Sequence, residues 1–143
     1  MFMCQFIRSP GFWKNYKNHM TDSEFQAILN ATPDYSALST RDAIAILSNR
    51  WDQYHRQLLS AELSAAWNND LNNPGAGGPL GLAIYSNPAY PGSALNGMSV
   101  DSINHLAFTT NPWWAGADLW AYLNYVGGGG GESDTGSQCH VTN

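Results

Sequence analysis

The apolar positions of the chain recur at helical spacing in several separate segments. Thr21 and Glu24 have the spacing of a helix capping box, and apolar residues then fall on one face until Pro33 ends the pattern. A second short segment begins at Ser99 and runs to Leu106. The pattern predicts a short helix in each of these places.

The longest periodic segment covers residues 40–69. Its apolar residues recur at alternating steps of three and four, which is typical of a helix face that packs against a core. This face consists of Ile44, Leu47, Trp51, Tyr54, Leu58, Ala61 and Ala65. The pattern predicts a mainly α fold, in which a small single-domain helical array surrounds one long central helix.

Prolines and glycines dominate residues 72–97, which contain four prolines. These residues set turns and interrupt both helices and strands. Ile84, Tyr85 and Tyr90 make the segment too apolar for a linker. We therefore expect a long ordered loop that lies against the helices.

The last periodic segment begins at Asn111, a good N-cap, with Pro112 at the first helical position. We expect one helix up to residue 126, ended by Gly127 in the left-handed conformation. A run of glycines follows. The chain is therefore divided into a helical domain, residues 1–126, and a glycine-rich tail, residues 127–143.

Charge is scarce in this chain and limits its partners. Only 12% of the 143 residues are charged, about half the usual share, and the net charge is -5 with six Lys and Arg residues. Such a chain has too few cations for nucleic acid. Arg8, Lys14 and Lys17 form the one evident cluster, which suits a single carboxylate or phosphate group. The longest apolar runs are far shorter than the roughly 20 residues of a membrane span, so we expect no membrane insertion.

The two cysteines, Cys4 and Cys139, lie close to the two ends of the sequence. An even number of cysteines and a low charge favour an oxidising compartment. We expect a disulfide between them, with the glycine-rich tail returning Cys139 to the N-terminal region. Two unrelated thiols are the alternative.

Aromatic residues are concentrated in the last helical segment, at Trp113, Trp114, Trp120 and Tyr122. One interpretation is that these large side chains are mostly buried, with their polar atoms bonded at the edge of the core. The other is an exposed surface that binds sugar rings or another subunit. The sequence leaves both open.

The segment Arg-Ser-Pro-Gly-Phe-Trp-Lys-Asn, residues 8–15, resembles a signature near the start of a family of bacterial extracellular domains. In that signature a Cys and a Thr-Pro-Gly or Ser-Pro-Gly precede a Tyr or Phe and a Trp-Lys-Asn-His. The matching positions here are Cys4, Arg8, Ser9, Pro10, Gly11, Phe12, Trp13, Lys14 and Asn15, whereas Tyr16 replaces the histidine. Residues 54–68 are weakly similar to a helix of the same family. The resemblance implies an extracellular or cell-surface location and no known activity.

Two interpretations of this signature compete. In the structural one, Pro10 and Gly11 form a turn that lets Phe12 and Trp13 pack on the long helix. In the functional one, histidines form a copper or zinc site with His19, His55 and His105 as ligands, although none pairs at the spacing of a helical zinc motif. A cofactor-free protein is the first expectation and the metal site its alternative.

Catalytic motifs are weak in this sequence. Gly-x-Ser-x-Gly is absent, and the glycine run follows a helix where a phosphate-binding loop would precede one. Asp52 and Glu62 are too far apart along one helix to act as a glycosidase pair. We therefore expect a non-enzymatic extracellular structural or binding module that self-associates or binds another cell-surface component. Metal binding and carbohydrate binding are the alternatives.

Overall fold

The structure is a computed structural model that describes residues 7–69, 80–128 and 140–142. In these ranges the chain is mainly helical, as the apolar pattern predicts. The described elements, in chain order, are α1 (Pro10–Lys14), a 3₁₀ turn (Tyr16–Asn18), α2 (Asp22–Asn30), α3 (Thr40–Ser48), α4 (Gln53–Asn69), a 3₁₀ turn (Leu80–Leu82), β1 (Ile84–Tyr85), α5 (Val100–Thr109), a 3₁₀ turn (Pro112–Trp114), α6 (Ala117–Val126) and β2 (Val141–Thr142).

Helix α4 is the centre of the fold. It contacts α1, α2, α3, α5 and α6, and every residue from 57 to 66 is buried. Because partners cover it on all sides, its polar residues Gln57, Ser60, Glu62 and Ser64 are buried together with its leucines and alanines. The prediction of a central helix is confirmed.

The expected continuous helix over residues 40–69 is wrong, because the chain leaves the helix between α3 and α4. Asn49 is extended, and its side chain accepts a hydrogen bond from the backbone N–H of Trp51. Asp52 in turn accepts from the backbone N–H of His55 and caps α4. Asn and Asp side chains compete with the helix for backbone groups in this way. Leu47 and Tyr54 face the core as predicted, whereas Trp51 is 96% exposed.

The short helices begin where their capping residues predict. Thr21 and Glu24 form both bonds of the capping box of α2, at 3.1 Å each. The Ser99 side chain accepts from the backbone N–H of Ser102 and caps α5. Both predictions are confirmed, although α5 continues to Thr109.

The predicted last helix is two separate elements. Asn111 is the N-cap of the element that begins at Pro112, and its side chain accepts a hydrogen bond from the backbone N–H of Trp113. This element ends after a single 3₁₀ turn. A new helix, α6, starts after Gly116. The left-handed residue expected at Gly127 is Gly128, which has φ +84°, whereas Gly127 has φ -73°.

The described part of the predicted loop, residues 80–97, is ordered. Tyr85 is buried and Tyr90 half-buried, but Ile84 is 42% exposed. Antiparallel pairing of β1 with β2 joins Ile84 to Thr142 and Tyr85 to Val141, a feature that the sequence pattern does not indicate. Residues 72–79 lie outside the described ranges. In those ranges, no helix is both long and apolar enough to cross a membrane.

Candidate functional site

The N-terminal signature packs on α4 through polar contacts. Ser60 donates a hydrogen bond to the Arg8 carbonyl oxygen at 2.8 Å, and the Arg8 backbone N–H donates to Ser64 at 3.2 Å. The Trp13 side chain is fully buried, and its indole N–H donates to the same Ser64 hydroxyl at 3.3 Å. Two serines of the central helix therefore hold the signature in place.

Helix α1 begins inside this signature. Ser9 accepts from the backbone N–H of Phe12, and Pro10 is the first helical residue. The expected turn at Pro10 and Gly11 is therefore wrong, since both belong to α1 and Gly11 does not have a positive φ. The Asn15 amide donates to the Gly11 carbonyl oxygen at the end of the helix, whereas Lys14 is exposed.

The histidines proposed as metal ligands have separate neighbours. The His19 ring stacks on Phe12 with centroids 4.2 Å apart. Nδ1 of His55 lies 2.8 Å from a carboxylate oxygen of Asp52. Nδ1 of His105 lies 3.0 Å from a carboxylate oxygen of Asp34. Within the described ranges, no three His, Cys, Asp or Glu side chains are grouped so as to hold an ion. Copper or zinc binding stays a prediction, and Cys4 and Cys139 lie outside the described ranges.

The aromatic residues of the last segment divide into exposed and buried ones. Trp113 is 89% exposed and Trp114 is 80% exposed, whereas Trp120 is 38% exposed. Tyr122 is fully buried, so its assignment to a surface is wrong. It lies on the inner face of α6, where its hydroxyl is 2.7 Å from the Asn104 side-chain oxygen.

Trp51 and these tryptophans all lie close in sequence or in space to one contact between α4 and α5. The Tyr54 hydroxyl, in the first turn of α4, donates to the Ala107 carbonyl oxygen at 2.6 Å and lies 3.5 Å from that of Thr110, so the start of α4 meets the end of α5. Trp51 precedes Tyr54 by three residues and Trp113 follows Thr110 by three, a chain length of at most about 11 Å in each case.

Trp120 reaches the same end from α6, because its ring packs edge-on against Tyr54 with centroids 5.3 Å apart. We call Trp51, Trp113, Trp114 and Trp120 the tryptophan end. The sequence pattern placed Trp51 in the core, since its spacing continued the apolar face, and only the polar residues Asn49 and Asp52 on either side indicated otherwise.

Two acids and a histidine from separate parts of the chain lie together, a grouping that the sequence did not indicate. Glu62 of α4 is fully buried, and it accepts a hydrogen bond from the backbone N–H of Asp34 at 3.0 Å. Asp34 also contacts His105 of α5. We call Asp34, Glu62 and His105 the acid cluster. Its members lie 28 and 71 residues apart along the chain, so no local motif reveals it.

Burial decides the charge of this cluster. Burial is the main cause of the raised pKa of Glu62, which is about 9, and the hydrogen bond and charge of the Asp34 side chain contribute in the same direction. With this pKa Glu62 is protonated at neutral pH, and its protonated side chain can donate a hydrogen bond to the Asp34 side chain. Burial also raises the pKa of Asp101, and the charge of Asp34 adds to this rise. Burial likewise raises the pKa of Tyr35, the residue after Asp34. One sequence signal existed: Glu62 is the one acid in a run of apolar and small residues on α4.

No family model matches the chain, and no curated protein or solved structure is significantly similar to it.

Proposed function

We propose that this chain is a non-enzymatic binding module of the cell surface or extracellular space, and that the tryptophan end is its contact surface with a second copy of itself. The observation that carries the proposal is the exposure of Trp51, Trp113 and Trp114, each at 80% or more. Exposed apolar patches of this kind are typical of interaction sites.

Leaving these rings in water is costly for an isolated chain. A tryptophan covers about 150–250 Å² of surface, and burial is worth about 25 cal/mol per Å², so each exposed ring forgoes several kcal/mol. Their backbone is nonetheless well fixed, because Asn49 and Asn111 accept hydrogen bonds from the N–H groups of Trp51 and Trp113 at 3.0 Å. Fixed, exposed tryptophans lose little freedom on binding and are frequent hot spots of protein interfaces.

The neighbouring side chains support a protein partner. Leu106 and Phe108 on α5 are 40% and 42% exposed, and Leu106 is aliphatic, so it offers no ring for a sugar to stack on. The exposed apolar surface therefore includes side chains of α5 as well as the tryptophans. A second copy of the chain suits it, because a two-fold contact brings the same apolar surface together from both sides.

The proposed location rests on the N-terminal signature and on the low charge of the chain. A binding module that acts outside the cell needs no cofactor, and none is part of the proposal. Glycan binding by the exposed tryptophans is the main competing interpretation, and the experiment below separates it from self-association.

Sedimentation velocity over a wide range of protein concentration tests the proposal. We expect the native chain to shift from monomer to dimer, and the Trp113→Ala/Trp114→Ala double variant to remain monomeric. Leu82→Ala is the matched control, because Leu82 is 68% exposed and lies in the 3₁₀ turn near the opposite end of α5. This control should dimerise like the native chain.

Three results would contradict the proposal. A native chain that stays monomeric at all concentrations excludes self-association. A dimer that persists in the double variant assigns the contact to another surface. A monomer whose tryptophan fluorescence is quenched by neutral oligosaccharides, with the quenching lost in the double variant, replaces the proposal by glycan binding.

A further inference from the structure

The N-terminal signature forms a second, chemically different surface beside α3. A cavity of about 340 Å³ opens between the signature and α3, and three of its lining residues are the cations Lys14, Lys17 and Arg41. The amide side chains of Asn15 and Asn18 line it as well. This cavity therefore combines positive charge with neutral hydrogen-bonding groups.

A larger cavity of about 660 Å³ adjoins it and shares Asn15 and Asn18. Its lining includes Arg8 and the rings of Phe12, His19 and Trp67. The Arg8 guanidinium lies over the Phe12 ring, 5.1 Å from its centroid, and 5.8 Å from that of Trp67. The two cavities together form a half-open cleft, which we call the cationic cleft.

The charge of this cleft differs from that of the whole chain. Four of the six Lys and Arg residues line it, in a chain with a net charge of -5. Among the described lining residues there is no Asp or Glu. A concave site lined by one sign of charge focuses the electric field and attracts ligands of the opposite sign.

The fold explains why these cations lie together. Ser60 and Ser64 fix α1 on the central helix, as described above, and α3 packs against α1. The contact places Arg41, in the first turn of α3, beside Lys14 and Lys17, which leave the end of α1 and the following 3₁₀ turn. Lys14, Lys17 and Arg41 are all exposed, so they remain available to a ligand.

We propose that the cationic cleft binds a polysaccharide that carries carboxylate groups, such as a chain of uronic acids. Guanidinium and ammonium groups bind carboxylates by charge-assisted hydrogen bonds. The amides of Asn15 and Asn18 can donate to and accept from sugar hydroxyl groups. The larger cavity adds aromatic side chains to this polar lining, as sugar-binding sites commonly have, whereas a nucleic acid would require a longer series of cations along its phosphates.

This site is separate from the tryptophan end. Tyr54 and Trp67 lie thirteen residues apart on α4, which corresponds to about 20 Å along the helix. The cationic cleft is therefore at the other end of the central helix, and the inference does not depend on self-association.

Isothermal titration calorimetry with an oligogalacturonate tests the proposal, with a neutral oligosaccharide of the same length as the reference ligand. We expect the acidic ligand to bind and the neutral one to bind much more weakly, with affinity falling as salt rises. Arg41→Gln should weaken binding about fivefold, and Lys14→Gln/Lys17→Gln/Arg41→Gln more than about tenfold.

Arg50→Gln is the matched control, because Arg50 is also an exposed arginine but lies outside both cavities. It should bind like the native chain, as should Trp113→Ala/Trp114→Ala. Equal losses in Arg41→Gln and Arg50→Gln would overturn the proposal, since binding would then follow net charge alone. No binding of the acidic ligand, or equal binding of both ligands, would overturn it too.

Discussion

The tryptophan end and the acid cluster place opposite kinds of residue in unusual surroundings. At the tryptophan end, large apolar rings lie in water, and Trp51, Trp113 and Trp114 are 80% or more exposed. In the acid cluster, Glu62 has no exposed surface at all. Each arrangement departs from the usual distribution of residues in a folded domain.

The two regions differ in how the departure is compensated. Protonation and the hydrogen bond from Asp34 compensate the burial of Glu62 inside the same chain. Nothing in the described ranges covers Trp113 or Trp114. The burial of Glu62 is therefore compensated within the monomer, whereas the tryptophan end would be covered only in the proposed dimer.

The largest expected change in the free energy of unfolding comes from replacing a buried tryptophan, and replacing an exposed tryptophan is its comparison. Trp13→Ala removes a fully buried ring and the indole bond to Ser64, and it should lower the free energy of unfolding by about 3–5 kcal/mol. Trp113→Ala should change it by less than about 0.5 kcal/mol. Urea unfolding of both variants measures the difference, and equal losses would show that Trp113 packs within the monomer.

Removal of the Glu62 side chain should come next in size. Glu62→Ala leaves a small cavity and takes the acceptor from the buried N–H of Asp34, with an expected loss of about 2–4 kcal/mol. Glu62→Gln keeps the shape, the acceptor for the Asp34 N–H and a neutral donor, so it should unfold at nearly the same urea concentration as the native chain at neutral pH. A Gln variant as unstable as the Ala variant would mean that Glu62 is charged in the folded state.

The pH dependence of stability should follow the raised pKa of Glu62. Its ordinary value is 4.5 and its folded value about 9, so the folded chain holds this proton more tightly than the unfolded chain. The contribution is complete below about pH 4.5 and is lost progressively as the pH rises towards 9. Asp101 acts in the same direction, since its pKa is also raised.

Glu62→Gln cannot titrate, so its stability should fall less steeply than that of the native chain between pH 5 and 9. Unfolding curves measured across this range give the two slopes. Parallel slopes would contradict the assignment of the buried proton to Glu62, because Asp34, Asp101 and His105 are present in both proteins.

A smaller loss of stability than that of Glu62→Ala is expected at Tyr54, which joins the tryptophan end to the core. Tyr54→Phe removes the hydrogen bond to the Ala107 carbonyl oxygen and should cost about 1–1.5 kcal/mol. Since the ring remains, Trp120 keeps its edge-on contact, and self-association should persist. Thermal unfolding and sedimentation velocity measure the two quantities, and loss of dimerisation would show that the end of α5 positions the surface.

Local capping signals in the sequence predicted the helices well. Thr21 with Glu24 and Ser99 each marked the start of a helix, because a cap acts within one turn of the chain. The apolar periodicity gave a wrong prediction at Asn49, where a polar side chain binds a backbone N–H and ends the helix. The predicted helix therefore continued past the point where α3 ends. Propensity within a helix is a weak signal compared with such a competing bond.

Contacts between distant residues could not be predicted from the sequence. The acid cluster joins residues that are 28 and 71 positions apart in the sequence. Strands β1 and β2 have only two residues each, which is too short for an alternating pattern of apolar and polar residues. The signature motif was found because its residue types are unusual, but the cationic cleft also needs Arg41, which only the packing of α3 on α1 places beside it. The exposure of Trp113 and Trp114 was one of two open interpretations.

The close approach of Gly128 to the signature means that a segment made later in synthesis completes the packing at the start of α1. A Cβ atom at Gly128 would lie 2.6 Å from the Ser9 Cα atom, so this segment passes directly against the start of α1. Tyr85 likewise pairs with Val141, which is made only later in synthesis. Contacts with such large sequence separation form slowly. A nascent chain that ends after α5 therefore lacks both the α6 residues that complete the core and the segment at Gly128 that packs on the start of α1.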